Sequence, residues 1–198
     1  MRRVVVLALL AMVLPIAAWA DGIDITNRYG TVSITQAGFV SKGSQLTSFN
    51  GIQASKGHAL GSVSFTTGAL VSGSILNGGV FSATGSTFVI TGKGGGVPKG
   101  VIFSGTFVGP VNWTLTSSHG TFRSYTLSGK IEGMLYTGRM VTGSTTQTIN
   151  SHLGQIEQGR GHIIAGNTSL SSPEPGTLGL LGTGLVGIAG MFRRKLSA

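Results

Sequence analysis

The sequence predicts an all-β fold, an antiparallel sandwich or jelly roll, flanked by an N-terminal signal helix and a C-terminal transmembrane helix. Three observations lead to this prediction. Short runs alternate between apolar and polar residues, no long helical periodicity occurs in the middle of the chain, and each end carries an apolar segment. The chain has 198 residues, of which 34 are glycine and none is cysteine. A disulfide scaffold and a cysteine-ligated zinc site are therefore excluded.

The first twenty residues have the pattern of a secretory signal peptide. Arg2 and Arg3 provide a positively charged start, and residues 4–14 are apolar without interruption. Ala18 and Ala20 supply the small residues that a signal peptidase recognises. Because eleven apolar residues are too few to span a bilayer, we expect cleavage directly after the second alanine.

The middle of the chain, residues 21–170, is expected to form one exported β domain rich in Gly, Ser and Thr. Val111, Trp113 and Leu115 alternate with polar residues, as they do in half-buried strands. Similar runs recur along the domain and predict about ten short strands. No stretch of useful length has helical spacing, so the strands should pair with one another in antiparallel fashion.

Two Asn-Gly pairs, Asn50-Gly51 and Asn77-Gly78, lie between apolar runs and predict hairpin turns. Residues 92–100 are the longest stretch that resembles a loop. A β-solenoid is an alternative fold, but the domain has no fixed repeat period. Alternation alone also allows a membrane barrel, which the C-terminal anchor would make redundant.

The last part of the chain, residues 171–198, predicts a hinge followed by a membrane anchor. Residues 176–192 contain no charged side chain, and seventeen helical residues cover roughly 25 Å. That length is at the short end of what spans a hydrocarbon core of about 30 Å. The basic cluster Arg193, Arg194 and Lys195 should remain in the cytoplasm, which leaves the β domain outside.

This tail resembles the PEP-CTERM sorting signal, in which Pro-Glu-Pro precedes an apolar helix and a basic end. Here the three motif residues are Pro173, Glu174 and Pro175. The same kind of tail is also known as the ice-binding protein C-terminal domain. The resemblance covers residues 172–198 and implies processing by an exosortase-like membrane enzyme, in Gram-negative bacteria that make extracellular polysaccharide. It implies that the three motif residues are recognised by that enzyme and are not catalytic.

Few side chains of the domain suit catalysis. Only two acidic residues lie well inside it, Glu132 and Glu157, and nothing in their spacing brings them together. A glycosidase needs two converging carboxylates, so we expect both to face solvent. There is no G-x-S-x-G motif and no Asp near a histidine to complete a triad. The sequence therefore predicts a protein that is not an enzyme, with an envelope hydrolase as the least favoured function.

The histidines do not form a recognisable metal motif. The domain has His58, His119, His152 and His162, and Glu157 lies midway between the last two. Residues five apart on a strand point to opposite faces, and no H-E-x-x-H motif is present. We therefore expect surface histidines, and we predict neither a metal site nor a cofactor.

Carbohydrate binding would require exposed aromatic rings. Trp113 is the one tryptophan left after signal removal, and its alternation with polar neighbours places it on the apolar face. Core packing is therefore favoured over a sugar-stacking platform. The exposure of Trp113, Tyr125 and Tyr136 would distinguish the two functions.

Ice binding would require a regular array of threonines on a rigid β face. The pairs Thr114/Thr116 and Thr146/Thr148 have the local spacing of such an array. These pairs do not repeat along the sequence.

The net charge is +9, but Arg2, Arg3 and the basic cluster account for five of the positive charges. The remaining cations are scattered, without the basic run or stripe typical of nucleic-acid binding, so no nucleic-acid partner is predicted. We expect an exported, membrane-tethered envelope protein that is structural or adhesive in an exopolysaccharide layer. A carbohydrate- or ice-binding module on the same anchor is the alternative. The expected partners are signal peptidase, an exosortase-like enzyme, membrane lipid and extracellular polysaccharide.

Overall fold

The computed structural model describes residues 22–172, of which 71% lie in β-strands. The all-β prediction is confirmed. One short helix, α1, interrupts the strands. The elements in chain order are β1 Gly22–Arg28, β2 Thr31–Thr35, β3 Gly38–Lys42, β4 Ser44–Phe49, β5 Ile52–Gln53, β6 Gly61–Thr66, β7 Leu70–Ser74, β8 Gly78–Phe81, β9 Thr87–Lys93, β10 Lys99–His119, β11 Phe122–Leu135, β12 Met140–His152, α1 Leu153–Glu157 and β13 Arg160–Ser171.

The predicted signal peptide, with Ala18 and Ala20, lies outside the described residues. So does the predicted transmembrane helix at residues 176–192. Within residues 22–172, no helix is long and apolar enough to cross a membrane. The strands form one compact unit, Gly22–Ser171.

The sheet closes on itself as an eight-stranded antiparallel barrel. Around the ring the order is β1, β4, β6, β9, β10, β11, β12 and β13, and β13 pairs again with β1. The predicted sandwich or jelly roll is therefore wrong. The alternation of apolar and polar residues indicates that each strand has one buried face. Both a sandwich of two packed sheets and a single closed barrel have this property. What decides between them is the pairing of the first strand with the last, which no local pattern reveals.

Four short strands extend the strands of the ring. Asn27 on β1 opposes Gly166, and Thr31 on β2 opposes His162, so β1 and β2 keep one register along β13. They are two segments of one long barrel strand, which is interrupted at residues 29–30. In the same way β3 and β4 form one long strand, β6 and β7 form another, and β8 and β9 form a third. The chain is thus an up-and-down meander, in which each long strand of the barrel pairs with the long strand that follows it in sequence.

A meander places its connections alternately at the two ends of the barrel. We call the end that holds Gly22 and Ser171 the proximal end; it also carries connections 50–60, 94–98 and 136–139. The distal end carries connections 36–37, 75–77, 120–121 and 153–159. The chain therefore enters and leaves the barrel at the same end.

The predicted turns are largely correct. Asn50 and Gly51 both have positive φ, 46° and 84°, and form the two-residue turn between β4 and β5. Asn77 lies in the connection between β7 and β8, where its N–H donates to Ser74 Oγ at 3.0 Å. The predicted loop at 92–100 is shorter than expected, because both of its ends pair as strand and only residues 94–98 connect them.

One part of the barrel interior is filled by aromatic rings. Trp113 stacks on Tyr125 with 4.3 Å between ring centroids, and Phe39 meets Trp113 edge-on at 4.9 Å. The polar atoms of these rings are satisfied by the β7–β8 connection. Trp113 Nε1 donates to the Ile75 carbonyl at 2.8 Å, and the Tyr125 hydroxyl donates to the Leu76 carbonyl at 2.9 Å. The rings thereby hold the distal turn against the core.

Another part of the interior is polar. Asn27 and Gln147, both fully buried, pair through their amides with N–O distances of 2.8 and 3.2 Å. Ser44 Oγ accepts from Asn27 at 2.6 Å, and Thr145 Oγ1 accepts from Gln147 at 2.9 Å. Gly166 makes room for the pair, since a Cβ there would lie 2.1 Å from the Gln147 oxygen. Each amide hydrogen bond is therefore made inside the barrel, without solvent.

Candidate functional site

The outward faces of five neighbouring strands carry hydroxyl and amide side chains in register. Because the strands are antiparallel and aligned, these side chains form rows across the sheet. Along a row the spacing is about 4.8 Å, and along a strand it is about 6.8 Å. We call this surface the polar wall; its members are Asn112 and Thr114 on β10, Thr126 and Ser128 on β11, Thr146 and Thr148 on β12, Asn167 on β13 and Thr26 on β1.

A bulge in β10 helps to set this alignment. The register against β11 shifts between Val108 and Asn112. Gly109 has φ of 75°, a left-handed conformation that suits glycine, and Pro110 next to it has no N–H to donate. Beyond the bulge Asn112 opposes Ser128, and the row continues onto β12.

The rows bring together threonines that are far apart in the sequence. The threonine pairs at 114/116 and 146/148 do not repeat along the chain, but Thr114, Thr126 and Thr148 are neighbours across three strands. Thr116 does not belong to the rows, since its hydroxyl donates to the Ser124 carbonyl at 2.9 Å. Sequence spacing could not reveal the rows, because their members come from different strands.

A groove of about 630 Å³ lies on the outer surface toward the distal end. We call it the basic groove; it is lined by Thr31, Val32, Ser33, Val40, Lys42, Gln155, Arg160, Gly161 and His162. Its three basic side chains, Lys42, Arg160 and His162, are all exposed. Sequence reasoning missed this cluster, since Lys42 and Arg160 are far apart along the chain.

A row of opposed residues connects the basic groove to polar side chains on β11 and β12. Ser124 opposes Asn150, and Asn150 opposes His162 on β13. His162 in turn opposes Thr31, and Thr31 opposes Lys42 on β3. One register row therefore leads from a hydroxyl, through an amide, to two basic side chains.

The charges of the barrel favour an anionic ligand. Residues 22–172 contain nine Lys and Arg against three acids, Asp24, Glu132 and Glu157, which gives +6. Of these acids, Glu157 is nearest in sequence to the basic groove, on the same short helix as Gln155. Such an excess attracts polyanions over a distance of about 10 Å, set by salt screening.

The two carboxylates well inside the domain, Glu132 and Glu157, are far apart in the fold. Glu132 lies on β11 in the row that ends at Ser171, at the proximal end. Glu157 lies in α1, in a distal connection. Both are exposed, which confirms the prediction that they face solvent.

All four predicted surface histidines, His58, His119, His152 and His162, are indeed exposed. The ring of His152 contacts that of Phe122 edge-on, with centroids 5.8 Å apart. His152 and His162 flank α1 but do not converge with Glu157. Among residues 22–172, no group of three or more His, Asp or Glu side chains is placed to hold a metal.

The aromatic residues separate into buried and exposed ones. Trp113 is 1% exposed and Tyr125 is fully buried, which confirms core packing and removes both as sugar platforms. Burial raises the pKa of the Tyr125 hydroxyl, while the Arg123 guanidinium lowers it by a smaller amount. Tyr136 is 57% exposed at the proximal end. Tyr29 is 62% exposed as well, and it lies two residues before Thr31 of the basic groove.

Residues 173–195 match the PEP-CTERM protein-sorting motif. The match includes the predicted recognition residues Pro173, Glu174 and Pro175 and the basic cluster at 193–195, all of which lie outside the described residues. The motif indicates an exported, membrane-anchored protein that is sorted by an exosortase. No curated protein and no solved structure matches the chain.

Proposed function

We propose that this exported, exosortase-sorted protein is a non-enzymatic structural or adhesive component of the cell envelope. Its barrel holds acidic extracellular polysaccharide on its outer surface. The observation that carries this proposal is the row of opposed residues that runs from Ser124 on β11 to Lys42 in the basic groove. A polymer lying along that row meets hydrogen-bonding groups and then His162 and Lys42 of the basic groove, with Thr31 between them.

The chemistry of the groove suits carboxylated sugars. Arg160 presents a planar guanidinium that can pair with a carboxylate through two hydrogen bonds, and Lys42 adds a point charge. Exposed hydroxyl and amide side chains of the polar wall, such as Thr146 and Asn167, can bond the sugar hydroxyls. Each exposed contact is weak, with an ion pair contributing about 0.2–1 kcal/mol. A polysaccharide offers the same group many times, so weak contacts add up to retention.

The placement of the acidic residues supports a binding role over a hydrolytic one. Glycoside hydrolysis requires two carboxylates within about 5–10 Å of each other. Glu132 and Glu157 belong to opposite ends of the barrel. The threonine hydroxyls of the polar wall have no histidine or carboxylate in the same rows to activate them.

The proposal is tested with the full-length protein in detergent micelles on immobilised polygalacturonate, with uncharged dextran as the reference matrix. Wild type should be retained on polygalacturonate and released by salt. The double variant Lys42→Gln/Arg160→Gln should be retained about five- to tenfold more weakly, since it loses two exposed pairs. The matched control is Lys56→Gln/Lys99→Gln, which removes the same charge elsewhere and should keep most of the retention. Equal retention on both matrices, or equal loss in both variants, would overturn the proposal.

Ice binding is the second candidate, and the rows of Thr114, Thr126 and Thr148 are the observation that favours it. Wild type should then slow the recrystallisation of ice, and Thr148→Lys should abolish that effect by placing a charged chain within the row. Polysaccharide retention should not fall in this variant, because the basic groove is intact and the added charge is positive. If wild type leaves ice growth unaffected, this second function is excluded.

A further inference from the structure

We propose that the proximal end of the barrel binds the surface of an anionic phospholipid bilayer. The barrel would then stand on the membrane in a fixed orientation, with the basic groove directed away from it. This inference goes beyond polysaccharide binding and does not depend on it. It rests on the side chains of the proximal end and on where the chain leaves the barrel.

The proximal end exposes a group of large apolar side chains. Met134 and Met140 are 52% and 54% exposed, and they oppose each other where β11 and β12 meet. Tyr136, in the connection between them, is 57% exposed, and Val101 on β10 is 53% exposed. Ile52 on β5 is exposed as well. Soluble surfaces carry such residues singly, so a group at one end indicates a contact.

These side chains lie on adjoining parts of the rim. The Tyr136 N–H donates to the Ile102 carbonyl at 2.8 Å, which places the β11–β12 connection against β10 next to Val101. Across the rim, a Cβ at Gly96 would lie 3.7 Å from the side chain of Ile52. Tyr136 thus lies against β10, and the 94–98 connection lies against β5.

Basic side chains surround the apolar group. Lys93 and Lys99 oppose each other directly at the start of the β9–β10 connection, and both are exposed. Like charges in opposed positions destabilise a strand pair, and an anion between them removes that penalty. Lys56 and Arg139 lie in the two neighbouring connections, and both are also exposed. Among residues 22–172, Asp24 and Glu132 are the acids toward this end, so the four cations there exceed them by two.

The course of the chain identifies the occupant. The barrel ends at Ser171, at this same end, and the sorting motif begins at Pro173. The motif indicates a membrane-anchored protein, and the predicted apolar segment at 176–192 starts five residues after the barrel. Five extended residues span at most about 18 Å, so an anchor at residues 176–192 would hold the proximal end near the lipid.

Basic residues combined with Tyr, Met and aliphatic side chains are typical of surfaces that lie at the lipid interface. Lysines attract the anionic headgroups, and their alkyl stems can lie along the apolar group. A polysaccharide would not require the apolar side chains.

The absence of cysteine permits a clean test, because one introduced thiol labels one position. Full-length protein carrying Thr137→Cys at the proximal end, or Ala37→Cys at the distal end, is labelled with an environment-sensitive dye. It is then reconstituted in vesicles of phosphatidylcholine with about one-third phosphatidylglycerol, an anionic surface. Spin-labelled headgroups should quench the proximal dye at least about threefold more strongly than the distal one.

Charge and apolar contributions are tested on the same dye. Lys93→Glu/Lys99→Glu should lower proximal quenching by half or more, and vesicles without phosphatidylglycerol should do the same. The matched control Lys42→Glu/Arg160→Glu makes the same charge change elsewhere and should leave quenching unchanged. Retained Trp113 fluorescence verifies that each variant is folded. Equal quenching of the two dyes, or a quenching that ignores lipid charge, would overturn the proposal, whatever the outcome on polysaccharide.

Discussion

The barrel interior is packed in two different ways, and the contrast separates what stabilises the fold from what specifies it. Around Trp113, rings on several strands stack and meet edge-on, and their few polar atoms bond to one turn. Around Asn27 and Gln147, two amides bond each other and the hydroxyls beside them. The rings contribute mainly through burial, whereas the amides must be matched atom by atom. The aromatic part should therefore tolerate small changes in side-chain shape. The polar part should not tolerate the loss of a hydrogen-bonding partner.

The largest expected effect is on the aromatic part. Trp113→Ala should lower the free energy of unfolding by about 3–5 kcal/mol, because it leaves a cavity beside Tyr125 and Phe39. The hydrogen bond to the Ile75 carbonyl is lost as well. Urea denaturation followed by circular dichroism measures the loss. Val71→Ala, at an exposed position, is the control and should change stability by less than about 0.5 kcal/mol.

Next in size is a steric test of the polar part. Gly166→Ala should destabilise the barrel by about 1–3 kcal/mol, because the new methyl group would lie within 2.3 Å of both amide oxygens. The same substitution at Gly22, where a Cβ meets nothing within 4 Å, is the matched control. If Gly166→Ala is as mild as the control, the amide pair is not held as tightly as its hydrogen bonds imply.

The amide pair itself should behave as a unit. Asn27→Ala or Gln147→Ala leaves the other amide buried without its partner and should cost about 1–3 kcal/mol. The double variant should cost clearly less than the sum of the two, since neither amide is then left unsatisfied. A double-mutant cycle on the free energy of unfolding measures this coupling. Additive losses would mean that the two amides contribute separately.

The smallest effect at neutral pH concerns the Tyr125 hydroxyl. Tyr125→Phe should cost about 1 kcal/mol through its hydrogen bond to the Leu76 carbonyl. The sign of the pH effect follows from burial, which raises the pKa of Tyr125 in the folded state. Stability from this group is complete below the unfolded pKa of about 10 and is lost as pH rises above it, because the unfolded state ionises first.

Unfolding free energies measured from pH 8 to 11 test this difference. Wild type should lose stability above about pH 10, and Tyr125→Phe should lose less over the same interval. Tyr136→Phe serves as the control, since its ring is exposed. Parallel curves for wild type and Tyr125→Phe would contradict the assignment.

The sequence predicts local structure well and global closure poorly. Alternation around Trp113 placed that ring in the core, and the Asn50-Gly51 turn followed from the need for positive φ at both positions. The sandwich prediction was wrong because the pairing of Gly22 with Ser171 joins residues 149 positions apart.

The surfaces were missed for the same reason. Lys42 and His162 become neighbours only through Thr31 between them, on a third strand. The rows of threonines likewise depend on the β10 bulge, which shifts the register within one strand. The spacing of a motif can identify residues that act together within one segment of the chain. These surfaces are instead formed by residues from several strands. The sorting tail could be predicted because it is read as a continuous segment.

Closure by the first and last strands also sets the order of folding during synthesis. Since β1 pairs with β13, the ring cannot be completed until Ser171 has left the ribosome and the export channel. Loops of this length close slowly compared with local hairpins, so the barrel should be among the slower folds of its size. The sorting motif follows within two residues of the closing strand. A truncated product that lacks the closing strand therefore also lacks the sorting motif.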